Sequence, residues 1–189
     1  MPRVKLFNQE EALAKAMGLF WETGYASTSL SDLIKHLGIS KGSFYDTFKS
    51  KRELFDKAIE QYRVVSLSGL EIMLASEEDR KKGVKSLFKH AIEGAFNDEK
   101  KRGCMIVNVC SEMGSKDDEI RKVLQMHNKE FFKIINDYLK GGNLNVSTDL
   151  KSLTNLIITQ LTGINIEVKF RKTKVEMINS TNLIVGLVR

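Results

Sequence analysis

The segment from Leu33 to Phe55 reads LIKHLGISKGSFYDTFKSKRELF, and in it two short apolar repeats flank the tripeptide Gly-Ile-Ser. Leucine and isoleucine recur at helical spacing before the tripeptide, and Phe44 and Phe48 lie four residues apart after it. Gly38 favours the end of one helix and Ser40 the start of the next. The segment therefore predicts two short helices joined by a tight turn, which is a helix-turn-helix.

The second of these helices has a polar outer surface. If Phe44 and Phe48 pack inward, a rotation of about 100° per residue leaves other residues outside, namely Gly42, Ser43, Tyr45 and Asp46. In a helix-turn-helix this helix enters the major groove of DNA. The missing side chain of Gly42 would allow close approach, and the hydroxyls of Ser43, Tyr45 and Thr47 could bond base edges or phosphate.

Cations and helix caps surround the same helix. Lys41 precedes it, and Lys49, Lys51 and Arg52 follow it. Ser29 and Ser50 are predicted N-caps of the neighbouring helices, whose first N–H groups can bind phosphate. A basic run by itself is more often a solvated surface, but its combination with the Gly-Ile-Ser turn and the two phenylalanines favours DNA binding.

The remaining sequence predicts an all-α fold. The only proline is Pro2, and apolar residues recur at spacings of three and four throughout. A first helix is predicted from Asn8 to Glu22, and longer helices after the helix-turn-helix at about 52–74, 78–96, 104–113, 118–140, 148–171 and 174–188. The net charge of +6 is compatible with a nucleic-acid partner without requiring one.

Several protein classes are disfavoured by what the sequence lacks. Two cysteines without metal-ligand spacing argue against a metal site or a disulfide framework, and we expect no cofactor. Three scattered histidines and no nucleophile motif argue against an enzyme. The sequence has no signal-peptide pattern and no stretch long enough to cross a bilayer, so a cytoplasmic protein with no membrane partner is expected.

The stretch GYASTSLSDLIKHLGISKGSFYDTFKSKRELF, residues 24–55, resembles the N-terminal signature of the TetR family of bacterial transcriptional repressors. The shared core is Gly-(Ile/Val)-Ser-Lys-Gly-(Ser/Thr)-(Leu/Phe)-Tyr-x-x-Phe-x-(Ser/Asn)-Lys. Asp46 departs from the aromatic, His or Asn more usual at its position, and it could accept from cytosine or simply repel phosphate. By resemblance, seven residues fall on positions that commonly contact DNA: Ser29, Lys41, Gly42, Ser43, Tyr45, Thr47 and Lys51.

The resemblance implies two domains, a three-helix DNA-binding domain at residues 1–50 and a larger helical domain at 51–189 that binds a small ligand and dimerises. It also implies that the last two helices form a four-helix bundle across a two-fold axis. The sequence supports this independently, because the predicted helix at 148–171 has a broad apolar stripe, wider than one side of a helix buries in a monomer. A homodimer would present two copies of the DNA-reading helix, so we expect it to bind a palindromic double-stranded operator.

Aromatic, methionine and histidine residues on the middle helices are candidates for contact with an unidentified small-molecule effector, although for each of them a core residue is the commoner alternative. His127 lies on an apolar stripe, where a core histidine is the commoner alternative. The candidates are Met73, Phe88, Phe96, Met105, Met113, His127, Phe131 and Tyr138.

The segment RGCMIVNVCSEMG resembles a Gly-Cys-x-x-x-Asn segment of one TetR subgroup, some members of which sense oxidants or electrophiles through a cysteine. Cys104 is therefore a redox candidate, since Lys100, Lys101 and Arg102 precede it and could favour its thiolate. An inert thiol is the alternative.

The main hypothesis is a homodimeric repressor that a small molecule releases from its operator. The alternatives are a thiol-sensing repressor that acts through Cys104 and a DNA-binding protein with no small-molecule effector.

Overall fold

The computed structural model describes residues 7–142, 149–170 and 173–188. Within these ranges the regular elements are helices, which confirms the predicted all-α fold. A single 3₁₀ turn, Val168–Phe170, separates the last two α-helices. The α-helices are α1 (Gln9–Thr23), α2 (Leu30–Leu37), α3 (Lys41–Phe48), α4 (Lys51–Ala75), α5 (Arg80–Asn97), α6 (Met105–Met113), α7 (Asp118–Lys140), α8 (Leu150–Glu167) and α9 (Lys174–Val185).

The short N-terminal helices begin at polar caps, of which Ser29 and Ser40 are predicted from the sequence. Asn8 Oδ1 accepts from the backbone N–H of Glu10 at 2.9 Å, so Asn8 is the N-cap of α1 and not its first helical residue. Ser29 and Asp32 form a reciprocal capping box at the start of α2. Ser40 Oγ accepts from the N–H of Ser43 at 3.1 Å at the start of α3. These bonds satisfy N–H groups that the first turn of each helix leaves without partners.

The turn between α2 and α3 depends on the backbone of Gly38. Its φ of 67° is left-handed, and its N–H donates to the carbonyl of Lys35 at 3.3 Å. The N–H of Ile39 donates to the carbonyl of Ile34 at 3.4 Å, which completes a Schellman motif. A Cβ at Gly38 would meet no atom within 4 Å, so the requirement for glycine comes from φ and not from space.

Aromatic side chains form much of the core of the first unit. Phe44 and Phe48 are buried with ring centroids 5.7 Å apart, as their spacing predicts. The ring of Phe20 lies edge-on to that of Phe55 at 5.2 Å. Because both inward residues of α3 are anchored, the rotation of this helix about its axis is fixed.

The second unit has its own apolar core, to which α5, α7, α8 and α9 contribute. Its helix ends differ most from the prediction at the ends of α8 and α9. α8 ends at Glu167 and the 3₁₀ turn follows, while the predicted end at residue 171 lies outside the described residues. α9 ends at Val185 and not at Val188, because Gly186 follows as its C-cap. Part of the break predicted at 140–145 also lies outside the described residues.

Packing divides the chain into two compact units, one ending at Val64 and the other beginning at Val65. The boundary falls inside α4. The functional division at residue 50 stays a prediction. None of the helices in the described ranges is apolar and long enough to span a lipid bilayer.

Candidate nucleic-acid interface

The outward surface of α3 is a short ridge of polar residues. Lys41 and Tyr45 lie four residues apart, Gly42 and Asp46 form a parallel row beside them, and Lys49 follows as the C-cap of the helix. All five are exposed, and Tyr45 keeps 43% of its surface accessible although its ring lies edge-on to that of Phe44. Lys41, Gly42 and Tyr45, which are predicted to contact DNA, therefore lie on one surface of α3.

Gly42 leaves an open position in this ridge. A Cβ built there would have only Ser40 Oγ, at 3.8 Å, near it, which is ordinary contact. The backbone of Gly42 is helical, so neither φ nor packing requires a glycine. The missing side chain instead lets another molecule approach the backbone of α3.

The serine hydroxyls that are predicted to contact DNA are bonded within the protein, unlike the exposed side chains of the ridge. Ser29 Oγ accepts from the N–H of Asp32 at 3.1 Å and donates to its carboxylate at 2.6 Å. Hydrogen bonds from the hydroxyl and the backbone N–H of Ser29 lower the pKa of Asp32. Ser43 is half-buried, with its Oγ 2.9 Å from that of Ser40. Ser29 and Ser43 thus take part in helix capping.

Thr47 turns its hydroxyl away from the exposed ridge. Its Oγ1 is buried and finds no hydrogen-bond partner within the described part of the chain. A contact between this hydroxyl and DNA would need the side chain to change rotamer. The predicted role of Thr47 therefore stays a prediction.

Two cations after α3 are held by neighbouring groups. Lys51 places its Nζ 4.3 Å from the centre of the Tyr25 ring, a cation–π contact that keeps the ammonium at the start of α4. Arg52 forms an ion pair with Asp56, with Nε 2.8 Å from Oδ1. Ser50 Oγ accepts from the N–H of Glu53 at 3.0 Å and caps α4 as predicted. A positive charge is thus fixed close to a helix N-terminus, which suits phosphate.

The candidate effector contacts lie in the second unit, where four are buried and four are half-buried. Met105 and Met113 are both buried, but they stand at opposite ends of α6, about 12 Å apart along its axis. His127 and Phe131 are adjacent on α7, with their rings stacked at 5.7 Å. Phe131 also packs against the core of the second unit, and the remaining candidates belong to that core or pack against it, namely Met73, Phe88, Phe96 and Tyr138.

Tyr138 has a structural partner for its hydroxyl, which the sequence did not reveal. The hydroxyl shares its one proton between the carbonyls of Glu77 at 2.8 Å and Asp79 at 3.2 Å. The Arg80 guanidinium lies 4.5 Å from the ring centre, and a Cβ on Gly83 would fall only 1.9 Å from the hydroxyl oxygen. Burial raises the pKa of this phenol. Tyr138 therefore ties the end of α7 to the start of α5.

Cys104 is the N-cap of α6 and is half-buried, whereas Cys110 is exposed. Two of the cations expected beside Cys104 have other partners. Lys101 donates through Nζ to the carbonyl of Phe96. The Arg102 guanidinium donates to the carboxylate of Asp98, with Nη2 at 3.1 Å from Oδ1.

Gly103 and Asn108, which flank the cysteine in the sequence pattern, have clear structural roles. Gly103 has φ of 69°, and a Cβ there would lie 2.5 Å from the carbonyl oxygen of Asn165. Asn108 Nδ2 donates to the carbonyl of Arg102 at 2.9 Å, and Lys169 donates to Asn108 Oδ1 at 2.6 Å. The glycine and the asparagine thus fix the loop before α6. In the portion of the chain that is described, no group of three or more His, Cys, Asp or Glu side chains could hold a metal ion.

Comparison with known proteins identifies the helix-turn-helix unit. The model of the family described as "Bacterial regulatory proteins, tetR family" matches residues 12–58. The HTH-type transcriptional regulator YezE of Bacillus subtilis is 31% identical over 130 residues, 69% of this chain and 67% of that one. The HTH-type transcriptional repressor ComR of Escherichia coli is 31% identical over 124 residues, 65% of this chain and 59% of that one.

Solved structures show the same fold over nearly the whole chain. A cysteine mutant of the TetR family transcriptional regulator CifR, complexed with a 26 bp double-strand operator DNA, superposes with a TM-score of 0.84 at 25% identity and 98% coverage of both chains. The reduced form of E. coli NemR gives a TM-score of 0.84 at 18% identity, with coverage of 95% of this chain and 96% of that one. An N-terminal helix-turn-helix unit and a larger helical unit are therefore the architecture of this protein, and its relatives are regulators and not enzymes. The chain belongs to the TetR family of bacterial helix-turn-helix transcriptional regulators.

Proposed function

We propose that this regulator is a homodimeric repressor that binds a palindromic operator through α3 and is released from it by a small molecule. The observation that carries the proposal is the exposed ridge of α3, whose rotation is fixed by the buried rings of Phe44 and Phe48. A buried face that sets the helix and an open polar face beside it are what major-groove reading requires.

Within this proposal the seven predicted residues have different tasks. Lys41 and Lys51 bind phosphate, and Tyr45 donates its phenol to phosphate. Gly42 allows the DNA backbone or a base edge to approach α3. Ser29, Ser43 and Thr47 contribute through the capped N-termini or through their hydroxyls.

Two relatives support operator binding and repression. CifR is seen with double-strand operator DNA, and its chain matches this one over nearly its full length. ComR carries the name of a repressor. In a dimer the two copies of α3 would read half-sites about 34 Å apart, or one helical turn of DNA.

The first experiment is selection of bound duplexes from random DNA at stated salt, followed by affinity measurements on the enriched duplex. Lys41→Ala should weaken binding roughly tenfold and reduce the slope of log K against log salt by about 2, one phosphate contact per protomer. Tyr45→Phe should weaken binding less. Lys57→Ala, an exposed lysine of the same unit, is the matched control and should change little.

Gly42→Ala separates folding from binding in the same assay. Alanine should stabilise α3 by up to about 1 kcal/mol, because its Cβ meets open space. It should nevertheless weaken operator binding by blocking close approach. If Lys41→Ala, Tyr45→Phe and Gly42→Ala all bound the operator like the parent, the proposed docking of α3 would be wrong.

The homodimer is proposed from the apolar residues that α8 and α9 leave exposed. Both helices already bury one side in the core of the second unit. Large apolar side chains remain on their other sides, which favours burial against a second copy. These are Leu156 and Ile166 on α8, Phe170 after it, and Val175, Ile178 and Leu183 on α9.

Leu183→Glu tests this interface, since Leu183 is 78% exposed in the single chain. A charge there should weaken dimerisation at least tenfold and operator affinity with it, because a buried unpaired carboxylate is costly. Ile72→Glu on α4 is the matched control, because Ile72 is 71% exposed and lies outside the proposed interface. Sedimentation over a concentration series measures the result; equal dimerisation of both variants would contradict the interface.

The effector site is proposed around the stacked pair of His127 and Phe131 on α7. An aromatic ring beside a titratable imidazole offers both apolar contact and a hydrogen bond to a small molecule. Tyr138 suits this role less well, because its hydroxyl is bound to two backbone carbonyls and it lies about 16 Å along α7 from His127.

A thiol-sensing repressor is the second candidate, and it would place the chain in the subgroup with the Gly-Cys-x-x-x-Asn segment. It is supported by Cys104, which lies half-buried at the N-terminus of α6. The thiol-sensing hypothesis is weakened by the bonds of the nearby cations, because Lys101 donates to the carbonyl of Phe96 and Arg102 to Asp98.

One assay separates the two. The operator complex is exposed to hydrogen peroxide, N-ethylmaleimide and a library of unreactive small molecules, with Cys104→Ser and Cys110→Ser as a matched pair. A reversible effector should release both variants like the parent. The factor by which it lowers the affinity for operator should equal the factor by which operator lowers the affinity for the effector. His127→Leu should raise the concentration of that effector needed for release. Release by peroxide that only Cys104→Ser abolishes would favour thiol sensing instead.

We also propose the division of labour expected from the sequence, in which residues 1–50 bind DNA and residues 51–189 bind ligand and dimerise. The cytoplasm, where bacterial DNA is accessible, is the proposed location. Deletion of the second unit is not needed to test the division, because the variants above assign each activity to its own residues.

A further inference from the structure

Asp46 lies on the exposed ridge of α3, and its carboxylate has no bonding partner among the described residues. Its backbone carbonyl accepts from Lys49 Nζ at 3.1 Å. Its carboxylate, by contrast, makes no ion pair or hydrogen bond with any residue that the structure describes. The neighbouring acids differ, since Asp32 is held by Ser29 and Asp56 by Arg52. Asp46 is therefore available to an outside molecule.

The position of Asp46 relative to Gly42 directs its carboxylate along the helix surface. In an α-helix the side chain leans toward the N-terminus and covers the turn before its own Cα. Gly42 occupies that turn four residues earlier and has no side chain, with open space at its Cβ position. A base edge that approaches the backbone at Gly42 would therefore meet the carboxylate of Asp46 directly.

The chemistry of a carboxylate limits which base it can meet there. An ionised carboxylate only accepts hydrogen bonds, and it repels phosphate. In the major groove guanine offers two acceptors, and thymine offers an acceptor and a methyl group. Neither base therefore has a donor for the carboxylate. Adenine has an N6 donor beside its N7 acceptor, whereas cytosine offers the N4 donor without a neighbouring acceptor. Cytosine is the base that fits a lone carboxylate.

We propose that Asp46 is a specificity-determining residue, which selects one cytosine in each operator half-site by accepting a hydrogen bond from its N4 amino group. This inference rests on the proposed operator binding through α3 and adds the base that one residue reads. Asp46 contributes selectivity and not general affinity, because its charge opposes the phosphates around the groove.

The test is the same selection from random DNA, carried out with the parent, Asp46→Asn and Asp46→Ala. The parent should enrich a palindrome with a fixed cytosine, and its replacement by thymine should weaken parent binding roughly 5- to 100-fold. Asp46→Asn should move the preference at that position to adenine, which asparagine recognises through N6 and N7. Asp46→Ala should lose the preference at that position and keep the others.

Glu10→Gln is the charge-matched control, because Glu10 is exposed on α1 and the variant removes the same single negative charge. It should leave every base preference unchanged. The inference is overturned if both Asp46 variants keep the preferences of the parent and bind all duplexes more tightly by a similar factor, as charge repulsion alone would give. If the folded parent enriches no duplex, the proposed operator binding fails as a whole, and the role of Asp46 with it.

Discussion

Phe44→Ala is expected to lower the free energy of unfolding of the first unit by about 3–5 kcal/mol and to abolish operator binding. Phe44 is fully buried, and its ring lies 5.7 Å from that of Phe48. Truncation leaves a cavity the size of the ring and removes one of the two anchors that set the rotation of α3. A loss of this size is most of the stability of a small domain.

The chain offers a local probe and a matched control for this prediction. Trp21 is the only tryptophan, and its ring lies 5.1 Å from that of Tyr62 in the first unit. Its fluorescence during urea denaturation therefore follows this unit. Tyr45→Ala, in the adjacent residue, should cost under about 1 kcal/mol because Tyr45 is largely outside the core. Equal destabilisation by the two variants would contradict the assignment of inward and outward sides of α3.

Gly83→Ala is expected to lower the free energy of unfolding of the second unit by about 2–3 kcal/mol. The new Cβ would lie 1.9 Å from the Tyr138 hydroxyl oxygen and 2.6 Å from the ring carbon that bears it. The ring must move, and the carbonyls of Glu77 and Asp79 then lose the hydrogen bond that they share from Tyr138. These losses exceed the gain of about 1 kcal/mol that alanine brings to a helix interior.

Gly94→Ala is the control for Gly83→Ala, because it lies in the same helix and a Cβ there meets no atom within 4 Å. It should leave stability unchanged or raise it by up to about 1 kcal/mol. Urea denaturation followed by far-UV circular dichroism measures both variants. In a Tyr138→Leu background the cost of Gly83→Ala should fall by more than half; an unchanged cost would mean that the clash with Tyr138 is not its cause.

The helix-turn-helix could be predicted closely from the sequence because its signals are local. The capping box of Ser29 and Asp32 spans four residues, and the left-handed Gly38 ends α2 through bonds to the preceding turn. Phe44 and Phe48 then fix the inward side of α3. The predicted end of α9 was wrong because the apolar residues after Gly186 continue the helical spacing, although Gly186 itself is the C-cap.

The candidate site was only partly predictable, because the sequence reveals local signals and not contacts made by packing. The exposure of Lys41, Gly42 and Tyr45 follows from helical periodicity, but the buried hydroxyl of Thr47 depends on packing that periodicity does not describe. Likewise, the run of cations in the sequence did not show that Lys101 bonds to the carbonyl of Phe96 and Arg102 to Asp98.

By itself the sequence determined the all-α fold, the positions of the helices and the exposed ridge of α3, since caps, glycine turns and apolar spacing act within a few residues of one another. The tertiary structure alone decided which polar groups are already engaged. The bonds from Tyr138 to Glu77 and Asp79 join residues about sixty positions apart, and the close approach of Tyr138 excludes a side chain at Gly83. Such contacts form only when distant helices pack, so no local pattern in the sequence can specify them.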